Sequence, residues 1–131
     1  MMRSDRYLDW QHAGNGHGLY GAAAAWEAVA VSQPANPWPL MRAGELYLRV
    51  LGEPEMALDR FRLARDAPGI TPEQQRYATQ KVIDLYLGPL ADEGRAMAEL
   101  RRLIDQHAGT PEAEGARTAI QALKSRRSEA G

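Results

Sequence analysis

The chain has 131 residues, 44% hydrophobic and 25% charged, with 16 basic and 17 acidic side chains for a net charge of -1, and no cysteine. That length suffices for one domain burying roughly two-thirds of its unfolded surface, and the composition excludes a disordered or fibrous class. The lack of cysteine excludes disulfides, thiolate metal sites and cysteine nucleophiles, while the balanced charge argues against bulk attraction to nucleic acid or acidic membranes.

The most apolar run, Gly18 to Val31, is short and contains Glu27. A bilayer span needs about 20 apolar residues, so no direct membrane insertion is expected. The opening MMRSDRYLDW turns polar and acidic where a secretory leader needs its apolar segment. The expected location is therefore the cytoplasm, or the envelope if a leader or membrane domain precedes the chain.

Ser4 is placed to cap a first helix, Asp5 to about Ala13, on which Tyr7, Leu8 and Trp10 offer apolar surface. Gly14-Asn15-Gly16-His17-Gly18 is too rich in glycine to stay helical and predicts a turn. A second helix follows from Leu19 to about Ser32, with Leu19, Ala22, Ala23, Trp26, Val29 and Ala30 on one face. Asn36 and Pro37 then read as the N-cap and first position of a third helix, expected to bury Leu40, Ala43, Tyr47 and Val50. After the turn Gly52-Glu53-Pro54, a fourth helix carries Ala57, Leu58, Phe61 and Ala64 and stops before Pro68-Gly69.

Thr71-Pro72-Glu73-Gln74 combines an N-cap threonine, a first-turn proline and a capping-box glutamine. The fifth helix, Pro72 to Leu87, presents Ala78, Val82, Leu85 and Tyr86. The sixth, Asp92 to about His107, carries Ala96, Met97, Leu100, Leu103 and Ile104, with His107 at the carboxyl end that favours a cation. Thr110-Pro111 opens a seventh carrying Ala113, Ala116, Ile120 and Leu123, and Lys124 to Gly131 is expected to fray. Seven helices without a strand predict an all-α chain.

The chain also repeats itself. Leu46-Tyr47-Leu48 recurs as Leu85-Tyr86-Leu87, and Ala57-Leu58, Phe61 and Ala64 recur as Ala96-Met97, Leu100 and Leu103, each 39 residues later. An earlier copy, Ala22-Ala23, Trp26 and Val29, lies 35 residues upstream. One hairpin cannot cover both of its faces, so such units must stack. The expected domain is single, with hairpins at about 4–33, 37–67 and 71–107 and a closing helix at 110–125.

Gly52, Ala57, Phe61 and Ala64, with Pro34 and Pro68 near the ends of second helices, resemble the tetratricopeptide repeat over roughly Leu19 to Leu123. The third hairpin and the TPEAEGAR segment are also similar to repeats of bacterial assembly and cell-envelope factors. The resemblance implies a right-handed α-α superhelix whose first helices line a concave groove. It places Arg42, Leu46, Arg49 and Val50 beside Lys81 and Leu85 as a groove for a protein or peptide partner. Arg42 and Lys81 are the pair suited to a carboxylate or acidic peptide.

The implied function is a non-catalytic adaptor or assembly module, with a self-associating or permanent complex subunit as the alternative. No cofactor is expected. The glycine turn has neither the dinucleotide nor the Walker spacing. Asp9, His12 and His17 make a poor metal set from one chain end, and no Ser, His and Asp set has a nucleophile context, so an enzyme is not expected. The basic tail of Lys124, Arg126 and Arg127 is too small to bind nucleic acid alone.

Overall fold

Proline, glycine and small polar residues divide the chain into helices. The computed structural model describes residues 17–130 as α1 (His17–Ser32), α2 (Trp38–Arg49), α3 (Pro54–Arg65), α4 (Pro72–Leu87), α5 (Glu93–Gln106) and α6 (Pro111–Ala130). The described residues contain no strand, so this is an all-α structure. The helix expected over Asp5 to Ala13 lies outside the described residues, and α1 starts at His17, within the run expected to be a glycine turn.

Side chains satisfy backbone N–H groups at three of the helix starts. Asn36 Oδ1 accepts the Trp38 N–H at 3.1 Å, just ahead of α2. Asp92 Oδ1 accepts the Arg95 N–H at 3.0 Å at the head of α5, and Thr110 Oγ1 accepts the Ala113 N–H at 3.2 Å at the head of α6. Such side-chain oxygens satisfy the N–H groups that the first helical turn leaves free.

Contacts divide the chain into two compact units, with the boundary between Thr71 and Pro72. In the first, α2 packs against both α1 and α3. Met41, Ala43, Leu46, Tyr47, Ala57, Phe61 and Ala64 are buried there. Phe61 is fully enclosed, and Gly44 makes room for its ring: a Cβ on Gly44 would lie 2.9 Å from Phe61 Cε2.

In the second unit α5 packs against both α4 and α6. Ile83, Met97, Leu100, Leu103, Ala116 and Leu123 form one cluster, with Ile104, Ala119 and Ile120 packed on it.

The sequence repeat is a repeated turn. Leu51 N–H donates to Leu46 O at 3.0 Å and Glu53 N–H to Tyr47 O at 2.8 Å; 39 residues on, Leu90 N–H donates to Leu85 O at 3.0 Å and Asp92 N–H to Tyr86 O at 2.7 Å. Glu53 (φ -121, ψ 80) and Asp92 (φ -120, ψ 81) share one backbone conformation. The residues before them, Gly52 (φ 65) and Ala91 (φ 48), are both left-handed. Ala57, Phe61 and Ala64 are buried, and so are their counterparts Ala96, Leu100 and Leu103.

Three expectations are corrected. Val50 lies just past the last helical residue of α2 and is exposed rather than buried. Only Ala23 of the expected α1 stripe is buried, and Trp26, the counterpart of Phe61, is 36% exposed. That helix is apolar on every side, so its periodicity does not single out a buried face. Lastly, α6 continues to Ala130 where fraying was expected. Arg126 Nη2 and Arg127 Nε donate to the two carboxylate oxygens of Glu93, at 3.0 and 2.9 Å, and anchor the last turns to the start of α5.

Candidate functional site

The first unit carries an open groove of about 500 Å³, lined by Glu27, Ala30 and Val31 of α1, Pro34, Leu40 of α2, and Arg60 and Leu63 of α3. Its lips are apolar and reach into solvent, with Val31 82% and Leu63 49% exposed. Isolated exposed apolar side chains are ordinary, but apolar residues from two helices on one concavity form a surface suited to another apolar surface.

Polar groups brace this groove. Glu27 is the one acidic residue of α1, and it accepts hydrogen bonds from Tyr47 Oη at 3.2 Å and from Arg60 Nε. Arg60 also pairs with Asp59 through Nη1 and stacks over the Tyr47 ring, 5.4 Å from its centroid. Burial, and then Glu27, raise the Tyr47 phenol above its usual range, so it stays a neutral donor. Burial opposes the Arg60 charge, but Glu27 more than offsets this and holds the guanidinium protonated. Glu27 thus ties α1 to α2 and α3 while its carboxylate borders the groove.

The residues expected to bind a partner have varied surroundings. Leu46 and Leu85 are buried and serve the packing of their helices. Arg42 is exposed on α2. Arg49 is exposed and pairs with Glu45 one turn earlier at 2.9 Å, and Val50 is exposed at the end of the same helix. Lys81, on α4, lies over the Tyr77 ring with Nζ 5.3 Å from the centroid. Arg42, Arg49 and Val50 belong to the first unit and Lys81 to the second.

Val31, Arg60 and Leu63 were not singled out from sequence. The available signal was Glu27, an acidic residue within an otherwise apolar helix, which calls for a cationic or hydroxyl partner on a neighbouring helix. Asp9 and His12 of the possible metal set lie outside the described residues, and His17 opens α1. Among the described residues no group of three His, Asp or Glu side chains is placed to hold a metal ion. No described helix is long and apolar enough to cross a membrane.

A second polar cluster sits in the second unit, where α5 ends. His107, at the carboxyl end of α5, is only 8% exposed. Burial, and then Arg76, push its imidazole below the ordinary value; Glu112 opposes this shift and Arg102 adds to it. Arg76 Nε lies 3.2 Å from Glu112 Oε1, although the two are not aligned as a hydrogen bond.

No known protein family, curated protein or solved structure matches this chain.

Proposed function

We propose that the chain is a non-catalytic protein-binding or assembly module, built from stacked helical hairpins in the manner of a tetratricopeptide repeat and wound as a right-handed superhelix. The observation that carries this reading is the first unit's groove, with Val31 and Leu63 on its lips, Leu40 between them and the Glu27–Arg60 pair beside them. A partner helix or extended segment with apolar side chains fits the lips, and a polar group on it reaches Glu27 or Arg60.

The repeated turn supports the comparison with stacked hairpins, since both copies carry the same hydrogen bonds and a left-handed residue at the same position. In such a stack Arg42, Arg49 and Lys81 offer positive charge to an acidic partner on the concave side and Val50 adds apolar surface, with Leu46 and Leu85 holding their helices from beneath. A cytoplasmic setting suits a cysteine-free module of this kind.

The test is affinity capture from an extract of the source organism, followed by binding measurements with the purified captured protein. The Arg42→Glu/Lys81→Glu variant is expected to weaken binding by about tenfold or more while keeping its helicity. Unchanged affinity removes the basic residues from the interface.

The second reading is a self-associating subunit, and α1 is the observation that favours it. It is apolar on all sides and leaves Tyr20, Trp26 and Val31 exposed. Mass measured across a concentration range separates the two readings: a constant monomer mass contradicts self-association, and a rising mass supports it.

A further inference from the structure

The carboxyl end of α5 carries polar groups that the groove does not use. His107 closes that helix, is buried, and its Nε2 has no hydrogen-bond partner among the described residues. Arg102, on the last turns of α5, has its Nε buried and likewise without a hydrogen-bond partner among them. Arg76 arrives from α4 and Glu112 from the first turn of α6, and the charges of Arg76, Arg102 and Glu112 all reach the His107 ring. Two guanidiniums and one carboxylate therefore act on the buried imidazole, which leaves an excess of one positive charge around the ring.

We infer that this cluster binds a tetrahedral oxyanion, the phosphoryl group of a phosphate or phosphate monoester, through Arg76, Arg102 and His107. A buried guanidinium N–H without an acceptor and a buried imidazole nitrogen without a partner are both costly, and a bound anion supplies acceptors for the guanidinium and for the imidazole once it is protonated. The flat carboxylate of Glu112 meets one guanidinium edge. A phosphoryl group directs oxygens along several axes and can reach donors arriving from α4 and from the end of α5 at once. The start of α6, which carries Glu112, adds the positive field of a helix amino terminus and offsets the negative field at the carboxyl end of α5.

Binding at this place is coupled to a proton. Burial and Arg76 favour the neutral imidazole, Glu112 opposes them and Arg102 adds to them. A dianion against the ring reverses that balance, so His107 takes one proton from solvent as the anion enters. Affinity then rises as the pH falls towards the imidazole's value in the free protein, which lies below the ordinary 6.5. Glu112, whose side chain is 41% exposed, is the resident competitor and turns outward to solvent when the anion binds.

The experiment is calorimetric titration of the full chain with sulfate, whose charge is constant across this range, and then with inorganic phosphate and glycerol phosphate. Saturable sulfate binding is expected, tightening as the pH falls, with proton uptake visible as a dependence of the heat on the buffer. Arg102→Gln and His107→Gln should each weaken binding about tenfold or more, and His107→Gln should also remove the pH dependence. Glu112→Gln should tighten it.

Equal affinity for inorganic phosphate and glycerol phosphate supports recognition of the phosphoryl group alone, whereas tighter binding of glycerol phosphate supports an ester as the ligand. The absence of saturable binding overturns the proposal. So does binding that neither Arg102→Gln weakens nor Glu112→Gln tightens, because that is general screening of surface charge. If the Arg102 and His107 variants fail to fold, Glu112→Gln and the pH dependence of the wild type still decide.

Discussion

Ala91 holds the left-handed backbone conformation that Gly52 holds 39 residues earlier, at φ 48 and φ 65. The two residues end equivalent turns, and each precedes the acidic residue that leads into the returning helix. Glycine adopts this conformation freely, whereas alanine pays roughly 1–2 kcal/mol for it. Ala91→Gly should therefore stabilise the protein, but glycine's larger unfolded-state entropy of about 0.5–1 kcal/mol offsets part of the gain. A net gain of about 0.5–1 kcal/mol is expected in chemical denaturation, and the reverse change, Gly52→Ala, should lose a comparable amount. A neutral Ala91→Gly and a neutral Gly52→Ala together would refute the shared turn.

Gly44 and Phe61 are a matched small and large pair, and 39 residues later their places are taken by Ile83 and Leu100 in the second unit's core. Phe61→Ala should cost about 3–5 kcal/mol, the usual loss for an enclosed ring. Gly44→Ala should cost about 1–3 kcal/mol, because the ring must move aside for the new methyl. Phe61→Leu should relieve part of that second cost, with a coupling of about 0.5–3 kcal/mol in the double-mutant cycle. Strict additivity would mean that the two side chains do not meet.

His107 should make folding stability depend on pH. Its folded value lies below the ordinary 6.5, so its contribution is intact above 6.5 and is lost as the pH falls from there towards the folded value. Over that window the unfolded chain binds a proton that the folded chain refuses. Arg76 on α4, Arg102 on α5 and Glu112 on α6 are the charges that act on the ring. Because the chain carries two further histidines, His12 and His17, the informative quantity is the difference between wild type and His107→Gln. The variant should lose less stability on acidification, and parallel pH profiles would contradict the assignment.

The physical punctuation of the chain made much of the fold legible in sequence. Pro72 and Leu87 bound α4 as expected, Thr110 caps α6, and the offset of 39 between the hairpins corresponds to a repeated turn. These features are local, so neighbouring residues suffice to read them. The face of α1 was not legible, because a helix apolar on every side gives periodicity nothing to select. The surroundings of His107 were hidden for another reason: the charges that act on its ring come from α4 and α6 as well as from α5.

The groove was harder still to read. It joins Val31, Leu40, Arg60 and Leu63 from three helices, and no spacing within one helix links them. Leu46 and Leu85 followed the repeat correctly as equivalent positions, but equivalence says nothing of which side faces solvent, and both are buried.

Binding of a partner protein in the groove of the first unit, as we propose, is measured by the affinity of the purified captured partner for wild type and for Val31→Asp/Leu63→Asp. Both side chains project into solvent, so the substitutions should leave helicity and melting behaviour nearly unchanged. A loss of about tenfold or more in affinity is the predicted result. Equal affinity for the two proteins, with the fold intact, would show that the partner does not bind in this groove.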